Sequence, residues 1–298
     1  MRMKLTPQNK LEGAKEFEFT SRDFSRVCDL IYQRAGISLS KTKQEMVYSR
    51  LARRLRATGQ MSFECYLDDL ESCSDGGEWE AFTNALTTNL TSFFREDHHF
   101  PILADHVKKS IAPITIWCSA SSTGEEPYSI AMTACEAFGT LSPPVQIIAT
   151  DIDTNVLTIA SNGIYALDKL SKMPAERIKN FFLRGKGKQE GLVRIRPELR
   201  QIVTFKQLNL LDDVWPIAGG IDAIFCRNVM IYFDKPTQGK ILSKFAPLLK
   251  ADGLLFAGHS ENFLYVTDAF KLRGKTVYEL VPSHGEPRYS SKSVGNSL

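Results

Sequence analysis

Apolar residues recur at helical spacing through the first part of the chain. In FTSRDFSRVCDLIYQRAG, Phe24, Val27, Leu30 and Ile31 fall on one face, and Gly36 supplies a C-terminal stop. KTKQEMVYSRLARRLRATG repeats the pattern with Val47, Leu51 and Leu55 and stops at Gly59. FECYLDDLESC and WEAFTNALTTNL predict a third and a fourth helix, so residues 17–95 read as a small all-helical unit. From residue 114 the pattern changes to short runs rich in β-branched and aromatic residues: ITIWCSA, VQIIATDI, IVTFKQLNL, IDAIFCRNV and GLLFAGHS. Helical segments such as EPYSIAMTACEAF and TQGKILSKFAPLLK separate several of them, which predicts an α/β fold with a parallel sheet covered on both faces. FKLRGKTVYEL reads as an antiparallel strand pair closing that sheet. Within an insertion at 163–200, FFLR and LVRIR are two strand-like pieces interrupted by Gly185, Gly187 and Gly191, a small antiparallel excursion. The domains expected are 15–90, helical; 91–282, the sheet domain with its insertion; and 283–298, a flexible tail.

Composition mainly excludes. A net charge of +3 over 298 residues gives no argument for nucleic-acid binding. The N-terminal MRMKLTPQNKLEGAKEF has basic residues but no apolar run behind them, so it does not read as a signal peptide. No apolar stretch reaches membrane-span length, so no membrane insertion is expected; a cytoplasmic location is expected as well. Cys28, Cys65, Cys73, Cys118, Cys135 and Cys226 form no Cys-x-x-Cys pair and read as buried thiols in a reducing compartment. His98 and His99 are adjacent and would point to different sides of a helix, so no metal site is expected.

In an open α/β sheet, ligands bind beyond the carboxyl ends of the strands. The first strand runs into SASSTGEEPYS, where small residues admit a ligand and Gly124 permits a tight turn. Glu125 reads as an ordinary acidic first turn of a helix, whereas Glu126 could face a cation. G-x-G-x-x-G is absent, so there is no dinucleotide fingerprint. Asp151, ending the second strand in ATDID, can accept hydrogen bonds from both hydroxyls of an adenosine ribose, while Asp153 suits a helix cap. After the third strand come Asn209 and Leu210; an adenine-reading amide and a turn-forming Asn fit equally well. The fourth ends in CRNVMIYF, where Arg227 and Asn228 emerge from an apolar run and Tyr232 could point either way. The Pro-Pro-aromatic signature of base-amino methylases is missing there, which counts against a nucleic-acid substrate. Just before the sheet, LTTNLTSFFRED places Asn89, Thr91, Ser92 and Arg95 at a helix end or turn. Arg95 could clamp a carboxylate bidentately, or stand on the surface beside capping Asn89 and Thr91.

TTNLTSFFRE, STGEEPYSIAM, ATDID, IFCRNVMIYF, LFAGHSENF and the glycine-bearing insertion together resemble the CheR family of chemotaxis receptor methyltransferases, over residues 20–280. The resemblance implies a class I S-adenosylmethionine-dependent methyltransferase fold, Rossmann-like, with an all-α N-terminal domain and a small antiparallel β-subdomain. It implies methyl transfer to receptor glutamate side chains, giving γ-glutamyl methyl esters and S-adenosylhomocysteine. By motif position, Asn89, Thr91, Arg95, Glu126, Asp151, Asn209, Leu210, Arg227 and Asn228 would contact the cofactor, and Arg95 and Tyr232 would lie nearest the transfer. A glutamate carboxylate, with a reference pKa of about 4.3, is already ionised at neutral pH and needs no general base. The sulfonium donor needs no metal. Catalysis then reduces to alignment and exclusion of water.

Two surfaces suit a receptor partner. Lys41, Lys43, Arg50, Arg53, Arg54 and Arg56 stand against Glu45 alone in the second helix and its flanks, whereas residues 64–80 carry seven acids and no Lys or Arg. Arg50, Arg53 and Arg54 share one helical face, which is either simply solvated or, as the family implies, turned to an acidic receptor bundle. The insertion resembles the family form that docks a C-terminal receptor peptide as an added strand, with Arg184 and Arg194 meeting its acids and Gly185, Gly187 and Gly191 leaving room. A glycine hairpin without a ligand is the alternative. Recruitment to membrane-bound receptor arrays and a monomeric chain follow as expectations. A non-catalytic receptor-binding adaptor and a small-molecule methyltransferase are the competing readings.

Overall fold

The computed structural model describes residues 15–73 and 76–282. The expected tail at 283–298 and most of the N-terminal segment lie outside the described residues. Four helices come first: α1 (Ser21–Ala35), α2 (Gln44–Thr58), α3 (Phe63–Ser72) and α4 (Gly77–Leu86). α5 (His99–Lys109) leads to β1 (Ile114–Cys118), α6 (Glu125–Phe138), β2 (Val145–Asp151) and α7 (Thr154–Asn162). The insertion holds β3 (Ile164–Ala166), α8 (Ala175–Phe181), β4 (Phe182–Arg184), β5 (Leu192–Ile195) and α9 (Pro197–Gln201). β6 (Val203–Gln207), β7 (Ile221–Cys226), α10 (Lys235–Phe245), β8 (Leu249–Ala257), β9 (Phe270–Gly274) and β10 (Val277–Leu280) complete the chain.

Local chemistry sets the helix ends. Thr20 and Asp23 form a reciprocal capping box on α1, and Gly36 closes it in the left-handed region at φ 67°. Gly59 ends α2 in the same way. The fourth helix stops at Leu86, four residues short of the predicted run through TTNL. Thr87 turns extended there because its hydroxyl donates to Asp153, outside the helix.

The main sheet has the order β6-β2-β1-β7-β8-β10-β9. β1, β2, β6, β7 and β8 pair in parallel, and β10 is antiparallel to both β8 and β9. The chain winds outward from β1 through β2 to β6, then returns to β7 on the other side of β1. That reversal leaves a crevice beyond the carboxyl ends of β1 and β7. Alternation along β1 feeds both layers: Ile114, Ile116 and Cys118 pack with α5 and α6, while Trp117 packs with Trp215 and Phe245 opposite. The helical domain has its own core of Val27, Ile31, Leu51, Leu55, Phe63, Tyr66 and Phe82, each essentially inaccessible. Truncating one of these aliphatic side chains to Ala should cost about 2–5 kcal/mol.

The insertion forms a three-stranded antiparallel sheet, β3-β5-β4, rather than two strands. β3 escapes the sequence pattern because it spans only Ile164–Ala166 and is defined by its pairing to β5. The thiols of Cys118, Cys135 and Cys226 are buried as expected, but Cys65 and Cys73 are exposed on the helical domain. Among the described residues, no helix is long and apolar enough to cross a membrane.

Candidate active site

A cavity of about 420 Å³ opens at the crevice between β1 and β7. Asn89, Thr91, Arg95, Glu126, Asp151, Asn209, Leu210, Arg227, Asn228 and Tyr232 all line it. The sheet supplies the floor. The helical domain supplies a roof that the sequence did not suggest, from Ile37, Ser38, Leu39, Lys43 and Met46.

Asp151 ends β2 and is buried. Its Oδ2 accepts from Ser122 N at 2.8 Å and its Oδ1 from Asp153 N at 3.0 Å. Burial outweighs these bonds and pushes the carboxyl up to about 6. Each oxygen keeps a lone pair for a further donor. Asp153 caps α7 through Asn155 N and Val156 N, and its other oxygen holds Thr87 Oγ1 and Asn89 Nδ2, both at 2.8 Å. The predicted helix cap is therefore also the anchor of Asn89.

Arg227 is the buried centre of an ionic cluster, with 1% of its side chain exposed. Nη1 donates to Glu126 Oε2 at 2.7 Å, and Nη2 lies 3.3 Å from Glu96 Oε2 and donates to the Arg95 carbonyl. Glu126 thus does face a cation, and that cation is Arg227. Burial raises the Glu126 carboxyl, with Arg227 opposing. Glu125 is the first-turn acid the sequence suggested, and it is also buried and pairs with Lys169 at 2.5 Å.

Arg95 sits between two residues in the left-handed region, Phe94 (φ 52°) and Glu96 (φ 53°). Phe94 N donates to Ser129 Oγ at 2.9 Å, and Phe93 packs edge-on against Tyr165 and Phe182. The loop is held from both ends, as strained backbone must be. Arg95 Nη1 donates to the Leu90 carbonyl at 3.0 Å, and among the described residues no carboxylate pairs with its guanidinium.

Asn228 is left-handed as well, at φ 58°. Glu261 fixes this turn: Oε1 accepts from Val229 N and Met230 N, and Oε2 from Asn228 N and Gly258 N. The short helical turn Met230–Tyr232 follows, and Ser38 N donates to the Tyr232 carbonyl at 2.9 Å. Asn209 takes the turn-forming role: its Oδ1 accepts from Leu211 N, and its Nδ2 donates to the Arg34 carbonyl at 2.8 Å. One amide N–H and one oxygen lone pair remain beyond these bonds, and the residue lines the cavity. Glu96 and Glu261 were missed by sequence reasoning. Their only signal was two acidic letters inside FFRED and HSENF.

The arginines expected to meet a partner separate. Arg53 is exposed. Arg50 instead donates to the Ala85 and Thr87 carbonyls, and Arg54 grips Glu78, which also accepts from Tyr66 Oη. The shared face expected for Arg50, Arg53 and Arg54 is therefore only partly free, because α4 occupies two of the three guanidiniums. Arg184 and Arg194 are exposed on β4 and β5, with Arg194 donating to the Asn162 carbonyl. A Cβ on Gly185 would meet the Gln189 carbonyl at 2.0 Å, and Gly187 and Gly191 have positive φ. All three glycines are thus required by the hairpin itself.

The cavity chemistry fits S-adenosylmethionine. Asp151 offers acceptors for a ribose diol, Glu126 a carboxylate for an ammonium, and Ile152, Leu208 and Leu210 apolar walls for a ring. Residues 89–279 match the model of the CheR methyltransferase, SAM binding domain, and residues 22–87 match that of the CheR methyltransferase, all-alpha domain. A chemotaxis protein methyltransferase of Salmonella typhimurium is 53% identical over 270 residues, covering 91% of this chain and 94% of the relative. That of Escherichia coli gives the same identity and coverage. Chemotaxis protein methyltransferase 2 of Pseudomonas aeruginosa is 53% identical over 89% of this chain and 95% of its own length. With its helical domain, its mostly parallel sheet and its cofactor cavity all accounted for, the chain belongs to the CheR family of S-adenosylmethionine-dependent chemotaxis methyltransferases.

Proposed function

We propose that the protein transfers the methyl group of S-adenosylmethionine to the γ-carboxylate of glutamates in methyl-accepting chemotaxis receptors. The products are glutamyl methyl esters and S-adenosylhomocysteine. The observation that carries this reading is Arg95, a cavity-lining guanidinium with no carboxylate partner among the described residues. Such a group suits an incoming carboxylate. The bound cofactor supplies an activated methyl. The chain supplies orientation: Asp151, Glu126 and Asn89 hold the donor, and Arg95 and Tyr232 align the acceptor oxygen. The guanidinium engages the acceptor only in part, because full pairing would blunt the nucleophile. No proton leaves the acceptor, so a general base has no task.

Receptor contact uses two further surfaces. Arg53, exposed on α2, faces an acidic receptor bundle, supported by Lys43 at the cavity edge. A receptor tail peptide adds to the small sheet at its edge strand β4, beside Arg184 and Arg194. These contacts recruit a cytoplasmic chain to membrane-bound receptor arrays. The deciding experiment is transfer of labelled methyl to receptor-bearing membranes, followed by alkali treatment. Alkali-labile label identifies the ester. Alkali-stable label, or no transfer, refutes the reading. Titration with a receptor tail peptide tests the β4 contact separately, and absence of binding removes that contact alone.

A further inference from the structure

The cavity lining carries Lys43, Arg95 and Arg227 as cations against Glu126 and Asp151 as anions. Its intended occupant is itself a cation. S-adenosylmethionine has a sulfonium and an ammonium against one carboxylate, whereas the thioether product has lost the sulfonium charge and is neutral overall. A net-positive wall would favour the product.

Glu96 supplies the missing anion from outside the lining. Its side chain is 10% exposed, and Oε2 stands 3.3 Å from Arg227 Nη2. Oε1 accepts from His259 N at 3.2 Å and Asn228 Nδ2 at 3.3 Å, and lies 2.9 Å from His259 Nδ1. One carboxylate thereby ties together the Arg95 loop, the end of β7 and the segment after β8. Burial opposes its charge, but the His259 hydrogen bonds, Arg227 and Asn228 outweigh it and hold the carboxyl at about 2. Arg227 is already paired with Glu126, so the second carboxylate is not needed to neutralise it alone. Its net effect is to offset the surplus positive charge of the wall.

We propose that Glu96 is a positioning residue that, by engaging Arg227 beside the cavity, biases the site toward the cationic methyl donor over its neutral thioether product. The proposal concerns the cofactor only and stands whatever the acceptor proves to be.

Titration calorimetry on the full chain, with S-adenosylmethionine and S-adenosylhomocysteine in parallel, tests it. Glu96→Gln removes the charge and nearly keeps the shape. Donor affinity should fall about tenfold more than product affinity, because a charge deletion at a partly desolvated site acts on the charged ligand. Arg227→Gln removes a cation instead and should move the donor-to-product ratio the other way. Glu96→Asp keeps the charge and should keep the ratio, whatever its absolute affinity. Equal losses for both ligands in Glu96→Gln would reduce Glu96 to a structural strut and overturn the proposal, as would unchanged affinities. Should Glu96→Gln fail to fold by circular dichroism, the double variant Glu96→Gln/Arg227→Gln decides: a donor-to-product ratio moved back from that of Arg227→Gln supports the role, and a ratio equal to that of Arg227→Gln overturns it.

Discussion

In the proposed cofactor site Asp151 would accept two ribose hydroxyls as a carboxylate, yet burial pushes its carboxyl up to about 6. Cofactor affinity should therefore be full above that pH and weaken as pH falls through it. The folded value lies above the unfolded value of about 3.9, so the native state binds the proton more tightly. The group's contribution to stability of the cofactor-free protein consequently declines as pH rises from about 4 to about 6. Asp151→Asn should remove both pH steps and lower affinity by about 2–3 kcal/mol, the worth of charge-assisted hydrogen bonds to the ligand. Binding isotherms from pH 5 to 8 check it, and an Asp151→Asn protein with the wild-type pH profile would contradict the assignment. The residues proposed to align the acceptor call for kinetics instead. Arg95→Lys keeps the charge but loses the planar fork, and should lower kcat/KM for the receptor about a hundredfold. Tyr232→Phe should cost about tenfold. Undiminished transfer in either variant, at normal cofactor affinity, would refute the alignment role.

The turn after β7 shows how an element can depend on one distant side chain. Asn228, Val229 and Met230 donate three backbone N–H groups to Glu261, which is 4% exposed. Glu261→Gln turns an amide NH2 toward donors that one carboxylate oxygen now satisfies, leaving two N–H groups without an acceptor. The cost should be about 3 kcal/mol, or roughly 6–10 °C in Tm. Because the turn places Asn228 and Tyr232, cofactor affinity should fall with it; a melting curve identical to wild type would disprove the clamp. Nothing local announces this contact. The sequence showed the strand ends clearly, because a polar residue leaving an apolar run is visible within five or six letters. It showed α1 and α2 because period and glycine stop agree there. The bond between Glu261 and Asn228 joins residues 33 positions apart, and that between Glu96 and Asn228 joins residues 132 apart. Periodicity carries no information at that range. It also fixes a side chain's angle about its helix axis without naming the neighbour, which is why Arg50 and Arg54 looked as free as Arg53.

Across the molecule, the helical domain roofs the cavity and, on the proposed reading, also meets the receptor. Tyr32 Oη donates to Asp234 Oδ2 at 2.6 Å, Ser38 N to the Tyr232 carbonyl, and Asn209 Nδ2 to the Arg34 carbonyl. These bonds seat the segment between α1 and α2 over the cavity, so α2 starts at the roof with Lys43 and Met46. Arg50 and Arg53 continue that stripe at i+4 and i+7 from Met46, leading away from the opening. Arg53 and Arg54 are neighbours in sequence with different tasks, and charge reversal should separate them. Arg53→Glu touches an exposed charge, so folding should be unaffected. Receptor methylation should drop about tenfold at low salt, and the deficit should fade above roughly 0.5 M, where the Debye length is a few ångströms. Arg54→Glu instead sets a carboxylate against Glu78 and loses a pair whose side chains are 28% and 31% exposed. It should destabilise the helical domain by about 1–2 kcal/mol, a loss that persists in high salt because repacking against α4 is involved. Thermal melts and salt-dependent methylation rates on both variants give four readings. Equal salt-dependent losses without destabilisation would place both arginines at the receptor, whereas a salt-independent Arg53→Glu would remove α2 from the interface.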